Sequence, residues 1–281
     1  MSVWLVLLFC PRYERLSIVS DHSPVTQPDF LPDPLPEKLY EGKAKILYPT
    51  DDPEVLLSFF KDDATAFNAL KRGSISRKGE INCTLSTHLF QVLERQGVAT
   101  HWIDSPAADW MRVKAVEIIP LEVVVRNIAA GSLCKQTGIT LGTPIDPPLV
   151  EFFYKDDALG DPLLTPDRLR LLKVASDAEV ETLRSMALTI DRNLQDFFAQ
   201  CDLTLVDFKL EFGRTSTGAI VLADEISPDT CRLWDRHETD PERRVMDKDR
   251  FRQDLGNVAA AYETVLQRVL ATLDRQAKNL E

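Results

Sequence analysis

The chain has 281 residues and no obvious way to cross-link itself. Its five cysteines, Cys10, Cys83, Cys134, Cys201 and Cys231, form no CxxC and have no histidine at zinc-ligand spacing. Isolated, reduced cysteines that serve in packing fit a cytoplasmic protein. Long hydrophobic runs are also missing: VWLVLLF at 3–9 is too short to span a bilayer. No basic residue precedes it and no small-residue cleavage site follows closely, so it makes a poor secretory signal. Positive charge is in deficit. The net charge of −11 argues against a nucleic-acid partner, which would call for a basic surface. GxxxxGK[ST] is absent, so there is no Walker loop. The four histidines fit no Ser-His-Asp or Cys-His arrangement.

What is present starts with a length of 281 residues, enough for two modest domains sharing a cleft, and a hydrophobic fraction of 44% that is ordinary for a globular protein. Pro24, Pro28, Pro32, Pro34 and Pro36 form an extended connector, and residues 1–36 read as a dispensable leader. Beyond it, 37–119 reads as a β-rich lobe and 120–281 as an α+β lobe. KLYEGKAKILYPT at 38–50 predicts two short strands around Gly42, and SFFKDDATAF at 58–67 one strand leading into a turn. Helical spacing of Ile81, Leu85, Leu89, Val92 and Leu93 predicts a helix over 80–96. VKAVEIIPLEVVVRN at 113–127 reads as two strands separated by Pro120. Ser176 and Glu179 stand at capping-box spacing before a second helix. A last helix is expected over roughly 247–274, with Phe251, Leu255, Val258, Tyr262, Val265 and Val269 inward.

The strongest chemical signal is VDFKLEFG at 206–213, followed by VLADEISPD at 221–229. Asp207, Lys209 and Glu211 alternate with Val206, Phe208, Leu210 and Phe212, the pattern of a strand with one apolar and one charged face. A turn at 213–218 and a returning strand would gather Asp207, Glu211, Asp224 and Glu225 around one lysine. Crowding so many carboxylates is costly unless cations are shared among them. A solvated sheet face could carry such alternation too, but it would not need the SPD and CRLWD that follow.

Other stretches are less decisive alone. YEGKAK at 40–45 could bring backbone amides and two lysines to a phosphate, or be a surface turn. In VVVRNIAAGSL at 123–133, Arg126 could fork onto a substrate anion or pair with a structural acid. FYKDDALGDP at 153–162 reads locally as a solvated loop. MDKDRFRQDLG at 246–256 reads as a helix start with surface ion pairs.

Together, YEGKAK, PLEVVVRNIAAGS, FYKDDALGDP, VDFKLEFG, ADEISPDTCRLWD and MDKDRFRQDLG occur in an order that resembles the phosphoribosylaminoimidazole-succinocarboxamide synthase (SAICAR synthetase) family across roughly 38–270. The resemblance implies an α+β fold of two lobes, ATP-grasp-like in outline, with the nucleotide in the cleft between them. It implies an ATP-dependent ligase of purine biosynthesis that joins carboxyaminoimidazole ribonucleotide to L-aspartate, with an acyl phosphate intermediate. Magnesium is the implied cofactor. Small molecules are the implied partners, a homodimer is admitted, and neither a nucleic acid nor a membrane is called for.

Carried over residue by residue, the resemblance puts Gly42, Lys43, Ala44 and Lys45 over the ATP phosphates. Lys114 and backbone groups near Ile119 would border adenine, and Lys155 would face the nucleotide. Glu211 and Asp224 match magnesium ligands. Asp207 and Lys209 would be the catalytic pair, with Lys209 neutralising charge at the transferred phosphoryl group. Arg126, Ser132 and Arg232 match the ribonucleotide site; Lys248 and Arg252 would anchor substrate carboxylates, and Asp161 and Asp229 are further members. Ile128 stands where relatives can carry another arginine. An inositol-phosphate kinase would share only DFK and leave RNIAAGS unexplained. A non-catalytic nucleotide-binding module would not need two metal-binding acids.

Overall fold

The computed structural model describes residues 30–31, 34–66 and 70–279. The expected leader over 1–36 lies almost wholly outside them. The first sheet is antiparallel and made of short strands. β1 (Tyr40–Glu41) and β2 (Lys45–Pro49) flank the Gly42 turn, and β3 (Val55–Phe60) follows. The strand expected at the start of SFFKDDATAF is the end of β3, which stops at Phe60 as the chain turns, but a second strand, β4 (Asp63–Ala66), then opens a separate ribbon with β5 (Lys71–Ser74). The break has a local cause. The Asp62 carboxylate accepts the Gly79 N–H at 2.9 Å and the Arg77 N–H at 3.2 Å, satisfying donors where α1 (Lys78–Arg95) begins. Gly79 is required there, because a Cβ would lie 2.2 Å from the Phe60 carbonyl oxygen. β6 (Trp102–Ala107) and β7 (Trp110–Lys114) complete the order β1-β2-β3-β7-β6.

The second sheet begins with β8 (Glu117–Ile128) and continues through α2 (Gly131–Thr137) to β9 (Pro144–Tyr154) and β10 (Leu163–Leu164). α3 (Pro166–Leu172) and α4 (Asp177–Gln200) come next, followed by β11 (Leu203–Arg214), β12 (Ile220–Ala223) and β13 (Cys231–Asp235). The strand order is β10-β9-β8-β11-β12, with β13 also on β11. Pro120 does not separate two strands; it lies inside β8. Register against β11 jumps from Glu122 opposite Glu211 to Ile118 opposite Gly213, so 119–121 bulge around a proline that has no N–H to offer.

α4 starts at the expected capping box. The Glu179 N–H donates to Ser176 Oγ at 3.2 Å and the Ser176 N–H to Glu179 Oε2 at 2.8 Å. Its Leu183, Ala187, Ile190, Leu194 and Phe197 are buried in one core with Phe208, Leu210 and Phe212 of β11. Val206 departs from that face. A register shift between Leu205 and Asp207 against β13 sends it into a smaller cluster with Ala130, Trp234 and Val245.

The last helix is in fact two, α5 (Asp249–Arg252) and α6 (Val258–Lys278). Between them Gly256 (φ 69°) and Asn257 (φ 51°) are left-handed, which ends a continuous helix. Phe251 and Leu255 are therefore only half-buried, while Tyr262, Val265 and Val269 are buried.

The pairing of β11 positions the site. β8 runs along one edge of Asp207–Arg214. The other edge is divided, with β13 on 203–208 and β12 on 211–214. The chain leaves the sheet after Ala223 and returns at Cys231, so 224–230 stands beside Lys209, whose N–H donates to the Thr230 carbonyl at 2.9 Å. On the far side, the His101 N–H donates to the Leu222 carbonyl at 2.8 Å and ties β12 to the approach to β6.

Candidate active site

With Phe208, Leu210 and Phe212 in the core, the period of two leaves Asp207, Lys209 and Glu211 on the other face of β11. They line a cavity of about 1080 Å³. Gly42, Lys43, Ala44 and Lys45 come to the same cavity from the β1–β2 hairpin, as do Lys155, Asp224, Arg126, Ser132, Arg232, Lys248 and Arg252. Asp161 and Asp229 line it as well. Two expected residues do not. Lys114 Nζ donates to the Thr100 carbonyl at 2.9 Å, and Ile119 is fully buried in the core.

One stretch of wall is a lattice of lysines and carboxylates. Lys209 Nζ lies 2.5 Å from Glu211 Oε1, 3.0 Å from Glu122 Oε1 and 3.7 Å from Asp224 Oδ2. Lys155 pairs with Glu211, and Lys45 pairs with Asp224 while lying 3.4 Å from Glu225 Oε1. Asp224 has φ 63°, a conformation that aspartate tolerates better than most residues with a Cβ. Burial opposes charge throughout. It would push the Lys45 ammonium down, but Asp224 and Glu225 hold it above the usual lysine value. For Lys209, burial is likewise overcome by Glu211, Asp224 and Glu122. Burial would raise Asp224, yet Lys45, Lys209 and Lys155 keep it well below the ordinary carboxylate range. All three groups are therefore charged at neutral pH.

The other stretch is built on arginines. Arg126 donates from Nε to Glu151 at 2.6 Å, from Nη1 to Asp207 at 3.1 Å and from Nη2 to Ser132 Oγ at 3.2 Å. Arg232 donates from Nη1 to Asp207 Oδ1 at 2.6 Å and from Nε to Asp249 at 2.7 Å. Asp249 also accepts from Arg252 Nη1 at 2.6 Å. Asp207 thus joins two guanidinium groups, and Asp249 extends the chain to a third. The glycine of RNIAAGS has a steric role, since a Cβ on Gly131 would sit 2.7 Å from Arg232 Nη2. Asn127 Nδ2 donates to Asp191 Oδ1 at 2.8 Å, fastening the end of β8 to α4.

Several participants are not evident from sequence. Lys78 and Tyr262 both reach Asp229, and Glu122, Glu151 and Asp249 are the arginine and lysine partners. Lys78 carried one usable signal: it precedes Ile81 and Leu85 by three and seven residues, on the apolar stripe of α1. A lysine in such a stripe calls for a buried partner. Glu122 and Glu151 carry no comparable signal, because only the strand pairing brings them to the site, and Asp249 meets Arg232 from the start of α5.

The family model described as SAICAR synthetase matches residues 38–269. A phosphoribosylaminoimidazole-succinocarboxamide synthase of Cyanothece sp. is 67% identical over 235 residues, 84% of this chain and 97% of its own. The crystal structure of the synthase of that name from Ehrlichia chaffeensis is 41% identical with a TM-score of 0.80, covering 84% of this chain and 99% of its own. A SAICAR synthetase solved in complex with ADP is 43% identical with a TM-score of 0.79, covering 83% and 97%. Matched by the family model over most of its length and by close relatives over nearly all of theirs, this α+β chain belongs to the SAICAR synthetase family.

Proposed function

We propose that the cavity on the charged face of β11 is where ATP, carboxyaminoimidazole ribonucleotide and L-aspartate meet. The family's reaction is an ATP-dependent ligation in purine biosynthesis, and this chain is a member of that family. The observation that carries the placement is convergence. The GKAK hairpin, the DFKLE strand, Asp224 and three arginines all line one cavity of about 1080 Å³, at the upper limit of ordinary ligand pockets, roughly 300–1,000 Å³. Three anions can meet only where cations are concentrated, and this wall supplies both lysines and arginines.

In this reading Lys43 and Lys45 cover the ATP phosphates, and the β1–β2 turn is held by the Gly42 N–H on the Lys45 carbonyl at 2.8 Å. Lys155 faces the nucleotide, while Lys114 and Ile119, which do not line the cavity, take no part in this reading. Lys209 neutralises charge at the phosphoryl group being transferred to the ribonucleotide carboxylate. Arg126, Ser132 and Arg232 hold the ribonucleotide, while Asp207 fixes the spacing of the two guanidinium groups. Lys248 and Arg252 anchor a substrate anion. The aspartate amine then displaces phosphate from the acyl phosphate to form the amide, and this chemistry requires no covalent protein nucleophile.

Magnesium fits the donors. Glu211 and Asp224 are hard carboxylates that converge on one cationic point, since Lys209 Nζ lies 2.5 Å from the first and 3.7 Å from the second. Among the described residues no three His, Cys, Asp or Glu side chains form a metal-holding group. Glu211 and Asp224 would hold the ion, with phosphate oxygens and water as its other ligands. Bound there it would neutralise phosphate charge.

Residues 37–119 serve as the nucleotide-covering lobe and 120–281 as the substrate and metal lobe; that two separate sheets are built from the two parts supports such a division, although the change of sheet comes at 115–116, before β8. The free Cys83, Cys134, Cys201 and Cys231 support a cytoplasmic setting, and the net charge of −11 supports small-molecule partners over nucleic acid. A homodimer is the assembly to test by light scattering. The reaction itself is tested by ADP release with each substrate omitted in turn. Sustained turnover is expected only when all three are present, because without aspartate the acyl phosphate has no amine to consume it; full-rate ADP release with aspartate or ribonucleotide left out would refute the proposal.

A further inference from the structure

Four segments distant in sequence meet at Asp229. Its Oδ2 accepts from Lys248 Nζ at 3.0 Å and lies 3.2 Å from Lys78 Nζ, while Oδ1 accepts from the Tyr262 hydroxyl at 2.7 Å. The Asp229 N–H is held by Ser227 Oγ at 3.1 Å, and the Lys248 N–H by the Pro228 carbonyl at 3.0 Å. Lys78 is 1% exposed and Tyr262 0%. Neither lines the cavity, whereas Asp229 and Lys248 both do. Burial would raise the Asp229 carboxyl, yet Lys248, Lys78 and Tyr262 hold it far below its ordinary range.

The charges of the cluster do not cancel. Two ammonium groups share one carboxylate, which leaves a net positive charge, and the ammonium that reaches the cavity is that of Lys248. Without Lys78, Asp229 and Lys248 would form a neutral pair, and an incoming anion would meet no surplus charge. Burying a second lysine to compensate a carboxylate that already has a partner is costly. For holding α1 against 224–230 alone, an apolar contact would do as well.

We propose that Lys78 and Tyr262 are positioning residues that hold and neutralise Asp229 from beneath, so that Lys248 presents an unspent positive charge to a carboxylate or phosphate oxyanion of a substrate. The inference rests on the reading of Lys248 as a substrate contact. It names two residues outside the cavity as determinants of substrate affinity.

The test is steady-state kinetics of the full-length enzyme with ATP, ribonucleotide and aspartate varied separately, in Lys248→Met, Lys78→Met, Tyr262→Phe and the Lys78→Met/Lys248→Met double variant. Thermal melting checks that each is folded. Lys248→Met is expected to raise the KM for aspartate or for the ribonucleotide on the order of ten-fold, and whichever rises identifies the anion. Lys78→Met should raise the same KM to a similar extent, and Tyr262→Phe should raise it less. The KM for ATP should stay put, and the double variant, which leaves Asp229 with neither ammonium, should raise the substrate KM beyond either single variant. If Lys78→Met proves unstable, Tyr262→Phe carries the test, since it removes one hydroxyl. An unchanged KM in Lys78→Met and Tyr262→Phe beside a raised one in Lys248→Met overturns the positioning role alone. So does a double variant whose KM equals that of Lys248→Met alone. No KM change in Lys248→Met removes the substrate contact and the inference with it.

Discussion

Lys45, Lys155 and Lys209 meet Glu211, Asp224 and Glu225 on one stretch of the cavity wall, while Arg126, Arg232 and Arg252 are strung between Glu151, Asp207 and Asp249 on another. Both stretches put cations against acids in a partly buried setting, but the cations differ in kind. An ammonium is a compact charge on a flexible stem, and Lys209 already lies within 3.7 Å of three carboxylates. Such a group can pass from carboxylate to phosphate without leaving the wall. Guanidinium groups are rigid forks, and Arg126 has three of its donor positions fixed by three different residues. The lysine stretch suits charge that moves during phosphoryl transfer. The arginine stretch suits an anion that is held and does not react.

The largest effects are expected at the acids of the lysine stretch. Glu211→Gln or Asp224→Asn should lower kcat on the order of 10²–10³-fold, the usual cost of losing a preorganised charge contact. Asparagine tolerates the φ of 63° at position 224, so backbone strain will not confuse the result. Wild-type turnover in both variants would remove these residues from the phosphate site. At the arginine stretch the expected change is in affinity. Arg126→Ala should raise the ribonucleotide KM roughly 10- to 100-fold with a smaller effect on kcat, and Arg126→Lys should not rescue it, because an ammonium cannot fork. A kcat defect with unchanged KM would erase the distinction between the two stretches.

The smallest effect is on stability and concerns His101, which lies behind the lysine stretch. Burial, helped by the nearby Lys45 charge, lowers its pKa from 6.5 to about 3. The folded protein then binds fewer protons than the unfolded chain between these values, so stability is full above about pH 6.5 and declines as pH falls toward 3. Melting temperature should drop over this window, and less steeply in His101→Gln. Parallel curves for the two proteins would show that His101 takes up its proton without cost.

Sequence patterning reached as far as local periodicity could carry it. Phe208, Leu210 and Phe212 declare their face by alternation, and Ser176 with Glu179 declares a helix start, because both signals act within a few residues. Val206 and Pro120 were misplaced for one reason: each sits at a bulge, and a bulge is a property of two paired strands. The break between α5 and α6 turned on left-handed residues at 256–257 that apolar spacing ignores. Most of the candidate site was legible through motifs, whereas its supports were not. Lys78 meets Asp229 across 151 positions, and Tyr262 looked like core because its ring is core while its hydroxyl belongs to the site.

The most direct measurement is a crystal structure with magnesium and a non-hydrolysable ATP analogue. The triphosphate should lie beneath Gly42–Lys45, with Glu211 and Asp224 on the metal and Lys45, Lys155 and Lys209 turned from carboxylates to phosphate oxygens. A triphosphate seated on Arg126, Arg232 and Arg252, with the lysines still bound to their acids, would contradict that arrangement.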